Sequence, residues 1–222
     1  MTSVLNNLTS GRLLARNAAW NLSGMAAPML VALIAIPLLI DGMGKERFGL
    51  LAIIWMGVGY FSLFDLGLGR ALTKIVSERL GRDATEDLGA LIWTAFATLF
   101  TLAVLGAVFL IILSEPLVTE LLSAPDNLRN EGIVAFRVLA VGLPFVVVTA
   151  GLVGLLEAYQ HFGRIAAIRV PLGVLTFAGP LISLQFTPDI TCATAVLLIG
   201  RIIALVAYFL AAARVCDELL RP

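Results

Sequence analysis

The sequence predicts an all-α protein, a bundle of helices that crosses a membrane. Composition is the first reason: of 222 residues, 60% are hydrophobic and 14% charged, where a soluble domain is about 45–50% apolar and about 25% charged. A mean hydropathy of +1.01 is the second. The third is pattern. Six stretches reach or approach the roughly 20 apolar residues that a helix needs to cross a hydrocarbon core about 30 Å thick. None shows the alternate-residue periodicity of a membrane barrel, so helices are the reading. The spans are expected at about 17–40, 46–64, 88–114, 136–156, 168–187 and 190–213, within a single unit covering 1–222.

Each element has its own signal. Arg12 and Arg16 precede the first span, but the 24 residues from Asn17 to Ile40 exceed the roughly 7–15 residues of a cleaved signal core. The second span reads as uncharged from Phe48 to Phe64 and breaks at Asp65-Leu-Gly-Leu-Gly69, where Gly67 and Gly69 supply backbone freedom. An amphipathic helix at about 68–81 follows. Arg70, Lys74 and Glu78 recur on one face, Leu68, Leu72, Ile75 and Val76 on the other, and Gly81 closes it. It is expected to lie at the inner membrane surface with its basic face toward lipid headgroups. Asp83 with Glu86 three residues on reads as the helix start before the third span. Between Glu115 and Glu131 four acids and two prolines mark a polar loop, with a short surface helix expected around Leu117–Ser123. Arg137 sits one turn inside the fourth span, and Arg201 is the single charge within the last.

Orientation follows from the loops. With the N-terminus inside, the inner segments carry Arg12, Arg16, Arg70, Lys74, Arg79, Arg82, Arg164, Arg169, Arg214 and Arg221. The outer ones carry Lys45, Arg47, Arg129 and Arg137. Basic residues favour the cytoplasmic side, so both termini are expected there. Net charge is zero, and nothing points to nucleic acid. Cys192 and Cys216 lie 24 residues apart on one apolar segment, roughly 36 Å along a helix and beyond disulfide reach. With His161 the single histidine, no metal site is expected. No Ser/His/Asp set, deep carboxylate pair or phosphate-cradling glycine loop is present, so a non-enzymatic role and no cofactor are expected.

Candidate site residues are few. Arg201 falls about 16 Å along its helix from Ile190, near mid-depth, where an arginine costs about 2.5–3.5 kcal/mol or more to insert. It offers a permanently charged planar fork for a phosphate or carboxylate, or it is a structural charge paired elsewhere. Asp65 is a cation-binding carboxylate at the inner mouth of a cavity, or an interfacial acid beside Arg70. Arg137 lines an outer vestibule or sits on its rim. Pro28, Pro37, Pro144, Pro171 and Pro180 interrupt the spans, accompanied by glycines. Kinked helices with small faces suit a bundle that changes shape, and Pro and Gly are also common in membrane helices generally.

The opening NAAWNLSG, the loop GMGKERFGL (Gly42–Leu50) and FSLFDLGLGRAL (Phe61–Leu72) resemble the N-terminal part of bacterial polysaccharide flippases. These are the O-antigen and exopolysaccharide transporters of the multidrug/oligosaccharidyl-lipid/polysaccharide exporter superfamily. The resemblance runs over essentially the whole chain as a hydropathy pattern and is most specific at Gly44–Gly49 and Asp65–Gly69. It implies one lobe of a two-lobe transporter in the bacterial plasma membrane. Such a lobe moves an undecaprenyl-pyrophosphate-linked oligosaccharide between leaflets by alternating access, in cell-surface polysaccharide and lipopolysaccharide biosynthesis. It also implies coupling to a proton or sodium gradient, a place for Asn21 on the lumen side, and a cationic lumen that gives Arg201 its reason. Family members have twelve or more spans in two pseudo-symmetric halves, so a C-terminal lobe or a second copy is an expected partner. Membrane lipids and glycan-assembly enzymes are others. The alternatives are a drug or cation antiporter lobe of the same superfamily, and a non-transporting scaffold subunit.

Overall fold

A computed structural model of the chain describes residues 11–60, 67–82, 87–216 and 219, with side chains from residue 26 onward. Among these residues the structure is helical and contains no strand. The helices are α1 (Gly11–Met43), α2 (Lys45–Tyr60), α3 (Leu68–Gly81), α4 (Leu88–Pro116), α5 (Asp126–Ala158), α6 (Phe162–Leu184) and α7 (Ile190–Ala213).

Five helices are long and apolar enough to cross a membrane: α1 through its stretch Ala26–Met43, α4 with its continuation to Leu121, α5, α6 and α7. The expected second span is the difference. Its described part, α2, has 16 residues, which rise about 24 Å and fall short of a core about 30 Å thick. Residues 61–66 lie outside the described structure, Asp65 among them. So do Asp83 and Glu86, the expected helix start before α4. The residue that flanks α4 is Asp87, held at φ 58 with no side-chain cap hydrogen bond. The short surface helix expected around Leu117–Ser123 is instead a π-helical turn, Leu117–Leu121, continuing directly from α4 after Pro116.

Helix α5 is the common partner. It packs against α4, α7 and α3, while α1 pairs with α6 and α6 in turn packs on α7. Small residues set the closest approaches. A Cβ on Gly154 would meet the Gly69 carbonyl at 2.6 Å and Thr73 Oγ1 at 2.8 Å, so α3 crosses α5 almost backbone to backbone. Thr73 Oγ1 lies 2.9 Å from the Gly154 carbonyl and 3.0 Å from that of Gly69, and its single proton serves the two. α3 is therefore docked on α5, one of the helices long and apolar enough to cross a membrane. At the α1–α6 pair, Gly173 faces the Pro28 ring in the same manner.

The two ends of the bundle are tied differently. At the end carrying Arg79, Arg82 and Arg214, here the basic end, Arg164 Nη1 donates to the Ala211 carbonyl (3.2 Å) and links α6 to α7. At the opposite end one carboxylate joins three helices. Glu131 accepts from Arg47 Nε at 3.2 Å on both oxygens, and its Oε1 accepts from the Ile190 backbone N–H at 2.6 Å. It thereby satisfies a free donor at the start of α7, beside the Asp189 cap on Thr191.

Candidate functional site

Four helices leave a polar cavity of about 370 Å³ in the half of the bundle toward the basic end. Helix α3 supplies Arg70 and Thr73 where it leaves the crossing with α5. Helix α5 supplies Thr149 and Glu157, α6 supplies Arg169, and α7 supplies Arg201 and Tyr208. The volume is within the roughly 300–1,000 Å³ of ordinary ligand sites. Its electrostatics are one-sided: three guanidinium groups face it and one carboxylate, Glu157.

Arg201 and Tyr208 reach the same cavity because they are seven residues apart on α7, two helical turns on one face. Gly200 beside Arg201 lets α6 come close, since a Cβ there would meet Leu175 at 2.7 Å. The buried Tyr208 hydroxyl donates to the Ile165 carbonyl (3.3 Å) and stands against the Arg169 guanidinium, which steadies that arginine at the cavity wall. Among the described residues, Arg70, Arg169 and Arg201 have no carboxylate partner within 4.0 Å. Arg70 and Arg169 are exposed, so the cost of a charge without a counter-ion in an apolar bundle falls on the half-buried Arg201, unless water or a ligand meets it. The cavity suits an anion.

Arg201 also marks a boundary. On the side away from the cavity it borders a void of only about 20 Å³ walled by Val58, Leu139, Leu197 and Leu198. That space holds about one water. The space on the basic-end side of Arg201 is the larger and carries the charged groups, and the one on the other side is small and mostly apolar.

The sequence-predicted residues fall in different places. Arg201 is in the cavity. Arg137 is not: it lies nine residues before Val146 on α5, roughly 14 Å up the helix, where its Nε donates to the buried Ser114 Oγ (3.2 Å). Asn21 falls on the α1 backbone with its side chain outside the described structure, and Asp65 is outside it altogether. Arg169, Arg70, Glu157, Thr149 and Tyr208 were not singled out as ligands from the sequence. Of these, Tyr208 carried a signal, its two-turn spacing from Arg201. Arg169 and Arg70 counted only as loop-side charges. Among the described residues no group of three or more His, Cys, Asp or Glu is placed to hold a metal.

Residues 14–216 match the family model described as "Polysaccharide biosynthesis protein". Over 192 residues the chain is 30% identical to a protein named "Putative O-antigen transporter" from Shigella flexneri, a match covering 86% of this chain and 45% of that protein. The chain thus spans about half the length of that relative. No solved structure matches it.

Proposed function

We infer the role of the cavity from one premise: the chain belongs to the polysaccharide biosynthesis protein family. In our reading it is the N-terminal lobe of a flippase for a lipid-linked oligosaccharide, with six spans, α2 belonging to the second. It works in the bacterial plasma membrane with both termini cytoplasmic, and its other lobe, or a second copy, faces the arginine cavity. The substrate's diphosphate sits against Arg201, Arg169 and Arg70 while the glycan occupies the space beside Thr149 and Thr73. The single observation that carries this is the set of three arginines on one cavity with Glu157 the one acid among its lining residues. The lining sums to about two positive charges, the complement of a diphosphate diester, and guanidinium forks match phosphate oxygens geometrically. An organic-cation substrate would be repelled by the same lining.

The apolar closure beyond Arg201 supports access from the basic end, the state that loads substrate in an alternating-access cycle. Arg201 stands where the open and closed halves meet, so a bound diphosphate is held at the point that must open next. The experiment is complementation. In the full-length protein at normal membrane abundance, Arg201→Ala and Arg169→Ala should each abolish or strongly reduce surface polysaccharide, while Arg137→Ala should leave it near normal. Undiminished export by both cavity variants would refute the assignment.

A further inference from the structure

Trp55 stands on α2 in the half of the bundle beyond Arg201. Among the described residues its indole Nε1 is the one buried side-chain nitrogen or oxygen with no hydrogen-bond partner. A buried indole N–H ordinarily finds an acceptor, since it has given up its bond to water. Here the surroundings supply rings instead. Phe48, two turns away on the same helix, meets the indole at 6.0 Å between centroids and 81° between planes. Phe177 of α6 meets it at 5.0 Å and 66°. Neither ring lies flat on the indole. Helix α2 packs on α7, α1 and α5, and the Trp55–Phe177 contact spans its seam with α6.

The seam has a definite place beside the arginine cavity. Val58, which walls the void next to Arg201, is three residues from Trp55 toward the basic end, about 4.5 Å along α2. Phe48 lies roughly 10 Å the other way, next to Arg47 and its tie to Glu131. Past Arg201 this side of α2 therefore offers Val58, Trp55 and Phe48, apolar side chains with one unused donor among them.

We propose that the seam is a second glycan station. When the half beyond Arg201 opens, a sugar ring of the substrate enters between Trp55 and Phe177, and Trp55 Nε1 donates to one of its hydroxyls. A pyranose has an apolar C–H face and a rim of hydroxyls, which suits a flat ring carrying a single polar handle. A diphosphate needs cations and stays with the arginines. The donor left unpaired in this state is paired in the open one, so widening the seam draws the glycan past Arg201. The station rests on the flippase reading and says where the glycan goes after the arginine cavity.

Photocrosslinking in cells tests this. In the full-length protein, p-benzoylphenylalanine replaces Phe177 in one variant and Thr149 of the arginine cavity in another, and the glycan carries a radioactive sugar. Both variants should capture label on irradiation. Mild acid, which breaks the bond between sugar and phosphate, should leave the label on the protein captured at position 177. Label lost with acid there would put the lipid chain in the seam and overturn the proposal. Capture at position 149 without capture at 177 would overturn it too and leave the flippase reading standing, whereas capture at neither would remove both. Replacing Trp55 by its benzothiophene analogue keeps the shape and removes the N–H. Export should fall about fivefold, the worth of one hydrogen bond, with an unfolding temperature no lower than the parent's. Undiminished export, or a fall in export matched by a lower unfolding temperature, would also overturn the proposal.

Discussion

Arg201 combines a structural liability with a functional use. Its guanidinium borders a polar cavity and lacks a carboxylate partner among the described residues. Replacing such a charge by an apolar side chain of similar length removes a desolvation cost. Arg201→Met should therefore raise the thermal unfolding temperature in detergent while abolishing export, a split that purified protein and complementation would reveal together. Equal or lower stability would mean that the charge is already satisfied, by water or by a group beyond the described residues. Arg201 was legible in the sequence because it is the lone charge in an otherwise apolar helix. Arg169 was not, since a cation near the start of a span looks the same whether it faces headgroups or turns inward. Only the placement of α6 beside Tyr208 separates the two.

The element whose role depends most on packing is α3. Its amphipathic period marks a helix, but period alone does not reveal what the apolar face meets. The contact is made by Gly69, Thr73 and Gly154, residues that carry little hydrophobic signal. Gly154→Val would drive a side chain into the Gly69 carbonyl, and rigid backbone cannot yield as a flexible side chain can. We expect a loss of about 1–3 kcal/mol, read as a lower unfolding temperature. At the other end of the bundle, Glu131→Ala would free Arg47 and strip a donor at the start of α7 of its acceptor. Since Arg47 is partly solvated, about 1–2 kcal/mol is expected from chemical unfolding. The π turn after Pro116 escaped the hydropathy pattern for a related reason. Hydropathy measures where oil continues, and backbone geometry at a proline decides how the helix continues.

At the scale of the whole molecule, the helical membrane character was plain from composition, and the partners of each helix were not. Orientation is open to direct measurement. A single cysteine at Ser123 in a Cys192→Ser, Cys216→Ala background should react with an impermeant maleimide on intact cells. One at Gln160 should react only after the membrane is opened. Reversed reactivity would invert the placement of both termini and put the arginine cavity on the outer face.

The pairing of α1 with α6 has a consequence for how the protein is made. From Met43 to Leu184 is 141 residues, about 7–28 s of synthesis at roughly 5–20 residues per second. Through that interval the Pro28 surface of α1 is bathed in lipid, because the Gly173 that seats it has not yet left the ribosome. The first helix waits for the sixth. Biogenesis is therefore most exposed to error early in the chain, and a membrane chaperone that shields α1 until α6 arrives would guard the slowest contact in the bundle.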